Sequence, residues 1–301
     1  MPELPDVVVY LERLSAELSG AKLEGIRIRS PSLLRTADPP LDHAFGLRVE
    51  CFERLGKRLV FGLENELFLV LHLMIAGRLR LRPAGAGIPG KIGMAAFDFD
   101  RATLLLTEAS THKRMQLHLV VGREALRAHD PGGIEVIGSS LDDFRAALQR
   151  ESHTLKRTLT DPRLLSGIGN AYSDEILHRA RLSPVKLTRQ LTDQETQRLH
   201  AACQTVLSEW TALLRAQVGS GWPEKVTAFR PEMAVHGRYG QPCPSCGGKV
   251  QRIVHTSNET NYCPTCQTGG KLLADRALSR LLKQDWPRTV TELEELRTRN
   301  K

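Results

Sequence analysis

The 301-residue sequence has no apolar run approaching the roughly 18 residues of a membrane span, and its first residues lack the basic-then-apolar layout of a secretory leader. Both absences point to a cytosolic protein with no membrane partner. No internal repeat is evident, which leaves solenoids and propellers without support. Cysteines are few, six in all, and four of them fall within 24 residues, CPSCGGKVQRIVHTSNETNYCPTC. Cys243, Cys246, Cys263 and Cys266 form C-x2-C-x16-C-x2-C, the spacing of two knuckles that each give two thiolates to a tetrahedral Zn²⁺. Four thiolates close the coordination shell, so one structural zinc per chain is expected and the chemistry must come from other residues. Cys51 and Cys203 stand alone in apolar surroundings and read as inert core thiols.

The length exceeds what one core usually supports, about 250–300 residues, so more than one domain is expected. Net charge is +8 with pI ≈ 9.4, which favours a polyanionic partner. Residues 1–130 hold 18 basic against 16 acidic residues, and 131–301 hold 24 against 18, so most of the excess lies in the second part.

VVVYLERLSAELSG carries apolar residues at helical spacing, Val7, Leu11, Leu14 and Leu18, and stops at Gly20. From Lys22 to about Gly122, short alternating runs separated by Gly, Pro, Asn and Asp predict an antiparallel sandwich or barrel. PAGAGIPGK, residues 83–91, reads as a loop, and 128–141 as an interdomain connection built on a Pro-Gly-Gly turn. Helical texture follows, and the last long helix opens on Thr192 and Glu195, spaced as a capping box. After the cysteines come an amphipathic helix on Leu278, Leu281 and Leu282, a Trp-Pro break, and a short helix capped at Thr289 or Thr291.

Two features hold candidate chemistry. GIGNAYSDEIL, residues 167–177, leads two glycines into a helix whose exposed first amides suit a phosphate oxygen. Excision of Met1 from MPELPD would leave Pro2 with a free secondary amine. Terminal amines titrate near 7.7–8.0 against about 10.4 for Lys, so a far larger share is unprotonated and nucleophilic at neutral pH. Proline's amine is more basic than that average and needs local tuning. Its attack on an aldehyde-level carbon gives an iminium electron sink, and Glu3 is placed to act as general acid or base.

MPELPDV, RLGKRL, HLMIAGRL, KRTLTDPRLLSGIGNAYSDEIL and GRYGQPCPSCGG…CPTCQ occur in order across residues 1–267. In these motifs the chain resembles the bacterial formamidopyrimidine-DNA glycosylase/endonuclease VIII family. The resemblance implies a multidomain α+β protein: an N-terminal antiparallel β-sandwich with flanking helices (1–130), a linker and start of the helical region (131–150), a helix-two-turn-helix DNA-binding domain (151–235) and a zinc-finger β-hairpin (236–267). A helical extension (268–301) follows. The implied function is a bifunctional glycosylase/AP lyase of base excision repair, a cytoplasmic, nucleoid-associated monomer acting on damaged double-stranded DNA. A flipped damaged base leaves as the terminal proline attacks deoxyribose C1′, and the Schiff base then undergoes β- and usually δ-elimination. Pro2 matches the nucleophile, Glu3 its partner acid and Lys57 a lysine that contacts DNA and assists catalysis. His72 and Lys156 match basic positions near the backbone or lesion, Asn170 the phosphate-binding Asn, and Tyr172 a brace of the signature helix whose hydroxyl is expected to reach the phosphate. Glu175 reads as a structural hydrogen-bonding group.

Three departures bear on substrate. Asn258 stands where the family finger carries a phosphate-clamping Arg, with Lys249 or Arg252 as substitutes. The void-filling trio, usually Met, Arg and Phe, reads as Ile75 (or Met74), Arg114 (or Lys113) and Met115. The tail runs about 35 residues past Cys266, where many relatives stop. A glycosylase specialised for alkylated bases, or a non-catalytic damage-binding protein retaining Met1, are the alternatives.

Overall fold

A computed structural model describes residues 1–256, 258–274 and 286–299. The expected amphipathic helix on Leu278, Leu281 and Leu282 lies outside the described residues. The chain divides into two compact units, one of Met1–Pro131 with Glu209–Thr227 and one of Gly132–Ser208 with the residues from Ala228 onward.

The first unit opens with α1 (Leu4–Leu18), three residues earlier than the apolar spacing predicts. Pro5 does not delay the helix, because a first-turn residue has no intrahelical use for its N–H. The buried face is Val7, Tyr10, Leu14 and Leu18. Eight strands then build two antiparallel four-stranded sheets. β1 (Leu23–Ile28), β6 (Gly93–Phe99), β7 (Ala102–Glu108) and β5 (Gly77–Pro83) form one in that order; β2 (Val49–Leu55), β3 (Arg58–Leu63), β4 (Leu67–His72) and β8 (Gln116–Val121) form the other.

Alternation assigns the faces. Leu59, Phe61 and Leu63 pair with Leu71, Leu69 and Leu67, and these share one core with Leu79, Phe97, Leu104 and Leu106 of the first sheet. Phe61 meets Phe97 edge-on, ring centroids 5.7 Å apart. The opposite face of the second sheet, Val60, Phe68, Val70 and Val120, is covered by Leu126 of α2 (Gly122–Arg127). Cys203 is fully buried as expected, whereas Cys51 is only half-buried and donates to Glu53 at 3.2 Å. Residues 222–226 strap onto β5: Trp222 Nε1 donates to the Leu79 carbonyl at 2.9 Å, and Arg80 and Arg82 both pair with Glu224 at 2.6 Å.

The second unit holds α3 (Leu141–Gln149), α4 (Leu155–Thr160), α5 (Asn170–Arg179) and the first part of α6 (Asp193–Val218). The capping box is present, with Glu195 N–H donating to Thr192 Oγ1 at 3.2 Å and Thr192 N–H to Glu195 at 2.9 Å. A hairpin of β9 (Gln251–Val254) and β10 (Glu259–Tyr262) precedes α7 (Pro264–Thr268), over a small core of Val235, Cys243, Val250 and Cys263. A last helix, Val290–Arg299, is capped by Thr289, whose Oγ1 accepts the Glu292 N–H at 3.2 Å. Among the described residues no helix is long and apolar enough to cross a membrane.

Candidate functional site

In the first unit the start of the chain folds inward. Pro2 is buried, Glu3 is 2% exposed and Asp6 is 4% exposed, and the Glu3 N–H donates to Asp6 Oδ2 at 3.1 Å. Burial lowers the pKa of the Met1 ammonium, opposed by Glu3 and Asp6 and assisted by the nearby cations Arg78 and Lys57. The site therefore joins a desolvated chain end, two carboxyl side chains and two cations. Lys57 follows Gly56, whose φ of +60° makes the β2–β3 turn. Arg78, on β5, is held by its donations to the carbonyls of Val226 (2.7 Å) and Gly77 (2.6 Å). Arg78 and Asp6 carry no mark in the sequence: their partners lie far along the chain or inside the first helical turn, and no spacing singles them out.

His72 closes β4 beside Arg58. Burial first, then Arg58 and Lys57, push its pKa down to about 4, so at neutral pH it is an uncharged imidazole and not the basic group expected from the sequence. An unfolded histidine titrates near 6.5, so between pH 6.5 and about 4 the unfolded chain binds more protons and stability falls as pH falls. His72→Gln is expected to flatten that part of a stability-against-pH curve; an unchanged slope would refute the assignment.

The expected trio separates. Ile75 is 55% exposed at the tip of the β4–β5 turn, after Met74 at φ +54°. Gly77 closes this turn where a Cβ would meet the Leu73 carbonyl oxygen at 2.2 Å. Arg114 is exposed, its N–H held by the Glu108 carboxylate at 2.9 Å. Met115, the residue before β8, is fully buried and cannot wedge into a base stack, because it lies in one core with Leu117 and Leu119 of that strand.

In the second unit Gly167, at φ +79°, turns the chain into α5. Asn170 is its first residue, with Nδ2 donating to the Glu259 carbonyl of the hairpin at 3.0 Å. Lys156 is committed internally, its Nζ donating to the Asn170 carbonyl at 2.7 Å and to Asp174 Oδ1 at 2.5 Å, so it braces α5 and does not present the basic group expected. Asp174, fully buried, also accepts from His236 Nδ1 at 2.8 Å and the Asn261 N–H at 3.1 Å. Glu175 accepts the N–H groups of Ala234, Val235 and His236 at 2.7–2.9 Å, the structural role expected of it. Its burial pushes the carboxyl pKa up against those bonds. Tyr172 is 2% exposed within the same helix.

Asn258 is exposed in the β9–β10 turn, where its carbonyl accepts the His255 N–H at 2.8 Å. The two cations expected to substitute for an Arg there are paired: Arg252 with Glu259 at 3.0 Å and over the Tyr239 ring, Lys249 with Glu294 of the last helix.

The sulfurs of Cys243, Cys246, Cys263 and Cys266 lie within 4.8 Å of one another, and none is in a disulfide. Sulfur pairs at 3.4 and 3.9 Å fit a tetrahedron with Zn–S near 2.3 Å. The first knuckle is a turn closed by Gly247 N–H to the Cys243 carbonyl at 2.8 Å. The second knuckle is helical: Cys263 caps α7, because Pro264 is already set for a helical first turn and Gln267 Oε1 accepts the Cys263 N–H at 2.8 Å.

Residues 1–134 match the formamidopyrimidine-DNA glycosylase N-terminal domain, 137–218 the formamidopyrimidine-DNA glycosylase H2TH domain, and 240–269 a zinc finger found in FPG and IleRS. The formamidopyrimidine-DNA glycosylase of Heliobacterium modesticaldum is 34% identical over 279 residues, covering 89% of this chain and all of the relative. That of Thermus thermophilus is 33% identical, covering 90% and 100%. The crystal structure of MutM (Fpg) from Thermus thermophilus superposes with a TM-score of 0.74 at 34% identity, covering 88% of this chain and 98% of that one. The Lactococcus lactis protein in complex with a Fapy-dG-containing DNA gives 0.77 at 25%, covering 88% and 100%.

Proposed function

Because the chain belongs to the formamidopyrimidine-DNA glycosylase family, we propose that it excises damaged bases from double-stranded DNA through Pro2, freed by removal of Met1. It is a DNA glycosylase of base excision repair with AP lyase activity, and we place it in the cytoplasm on the nucleoid. The observation that supports the role of Pro2 is the buried chain end: burial, against the pull of Glu3 and Asp6 and with the help of Arg78 and Lys57, lowers the pKa of the Met1 ammonium, and the Pro2 nitrogen inherits that surrounding once Met1 is removed.

The damaged nucleotide leaves the stack at a cost of a few kcal/mol, least for a lesion that already pairs poorly. Pro2 nitrogen attacks C1′ and gives up its proton, the C1′–N bond to the base breaks with Glu3 delivering a proton on the departing side, and the C1′–O4′ bond then opens, O4′ taking a proton, to leave the C1′=N⁺ iminium. The iminium draws electrons from C2′ once a proton leaves that carbon, and the C3′–O bond breaks; a second elimination breaks C5′–O. Hydrolysis returns Pro2. Lys57 and Arg78 stabilise phosphate and developing negative charge, and Arg114 and Ile75 face the strand from their turns. Asn170 takes a backbone phosphate at the start of α5, with Asn258 a neutral donor from the finger. The four cysteines hold Zn²⁺, which when bound supplies the stability the small finger lacks and no step of the reaction.

Borohydride reduction on a duplex with one abasic site is expected to leave a covalent adduct on the Pro2 peptide, and absence of any adduct from Met1-processed protein would refute the mechanism. A panel of duplexes with oxidised purines, oxidised pyrimidines and alkylated purines, scored for base release apart from strand cutting, then assigns the lesion.

A further inference from the structure

Helix α5 meets the thiolate cluster through one side-chain contact that the glycosylase chemistry leaves unused. His178, in the last turn of α5, is 8% exposed, and its Nε2 lies 3.2 Å from Sγ of Cys243, which is 2% exposed. Four thiolates around Zn²⁺ leave a formal double negative charge on the sulfurs. Buried sulfurs have no water to spread that charge, so they need N–H donors from the protein. The backbone N–H of Gly248 serves Cys246 and that of Cys266 serves Cys263; Cys243 is served by the imidazole.

We propose that His178 is a positioning residue of the zinc site: neutral, with its proton on Nε2, it donates to the Cys243 thiolate and fixes the metal cluster to the end of α5. It is not a ligand, because four sulfurs already fill the shell. The same helix begins at Asn170 and carries Asp174 and Glu175, which hold Asn261 and Ala234–His236 on the finger side. Gln267 makes a second tie, accepting from Cys263 N–H and donating to the Leu182 carbonyl at 2.9 Å just beyond α5. Metal retention is therefore coupled to α5: without the His178 N–H, the buried sulfur keeps charge that nothing satisfies, and it is more readily protonated, oxidised or released.

The direct test uses full-length protein loaded with NMR-active cadmium in place of zinc and labelled with nitrogen isotope in its histidines. One imidazole, His178, is expected to show scalar coupling to the metal across the N–H···S bond; no coupling from that ring overturns the proposal. The second measurement is zinc transfer to a chromogenic chelator. His178→Phe, which fills the space without donating, is expected to release zinc roughly 10-fold faster. His178→Gln, whose amide N–H reaches the same sulfur, should stay near the unmodified rate. Equal rates in all three proteins, or a Gln variant as fast as the Phe variant, would show that volume and not the hydrogen bond matters, and would overturn it. Should His178→Phe fail to fold, the coupling and the Gln variant still decide.

Discussion

Extending the chain by one residue ahead of Pro2 is expected to abolish borohydride-trapped adducts and to slow base release by on the order of 10³-fold or more, with binding to the same duplex retained. The extension turns the secondary amine into an amide, whose nitrogen has no lone pair free to attack C1′. The grip on phosphate, through Asn170 and the surface cations, is untouched. Glu3→Gln separates the two halves of the chemistry. An abasic site has already lost its base, so the Gln variant should still be trapped there, while base release from a lesion falls by about 10²–10⁴-fold for want of the proton. Single-turnover rates on lesion and abasic duplexes, measured in parallel, give both numbers. An extended protein that still forms adducts would mean that another amine, the new chain end or a lysine, is the nucleophile; peptide mapping of the adduct tells them apart, and Lys57 would be the first lysine to test. An unextended protein that binds damage but forms no adduct, with Met1 still present by intact mass, would be a damage-binding protein.

Local patterns told the sheet domain and the metal site; contacts between distant segments did not show. The alternation in RLVFGL and LFLVLH is enough to put Leu59, Phe61, Leu69 and Leu71 on one face, because strand geometry fixes the period. The four cysteines are equally plain, since thiolate spacing is a property of the chain itself. Met115 departs from the role its motif implies for the same reason that the strands follow their alternation. Motif order placed it at the void left by an everted base, but its parity with Leu117 places it in the core. Lys156, Arg252 and Lys249 read from the sequence as positive charge offered to DNA, and each has a carboxylate partner: Asp174 18 residues on, Glu259 across the hairpin and Glu294 45 residues on. The basic total is real, but less of it is available to phosphate than the count suggests. Arg78 is the reverse case: an unremarked strand residue that its partners Gly77 and Val226 aim beside the chain end.

Asp174→Ala is expected to destabilise the second unit by about 3–5 kcal/mol, the largest stability loss of any single side chain around α5, because it leaves a buried ammonium without its counter-charge. Lys156, at 13% side-chain exposure, would keep only the Asn170 carbonyl, while His236 and the Asn261 N–H would both lose their acceptor. Asp174→Asn keeps an acceptor of the same shape and removes the charge, so its cost should be smaller. Adding Lys156→Met to Asp174→Asn should recover part of the loss, since the orphaned charge is then gone; two independent contacts would instead give costs that add. Amide hydrogen exchange along α5 in the zinc-loaded protein reads the effect where it arises, without requiring the whole chain to unfold in one step. An Asp174→Ala protein whose α5 amides exchange as slowly as before would mean that Glu175 and its three backbone donors suffice to hold the finger. The order of the effects matters for function as well. Lys156 holds the carbonyl of the same residue, Asn170, whose side chain donates to the hairpin at Glu259, so loosening Asp174 should weaken phosphate binding at the start of α5 before it weakens retention of zinc.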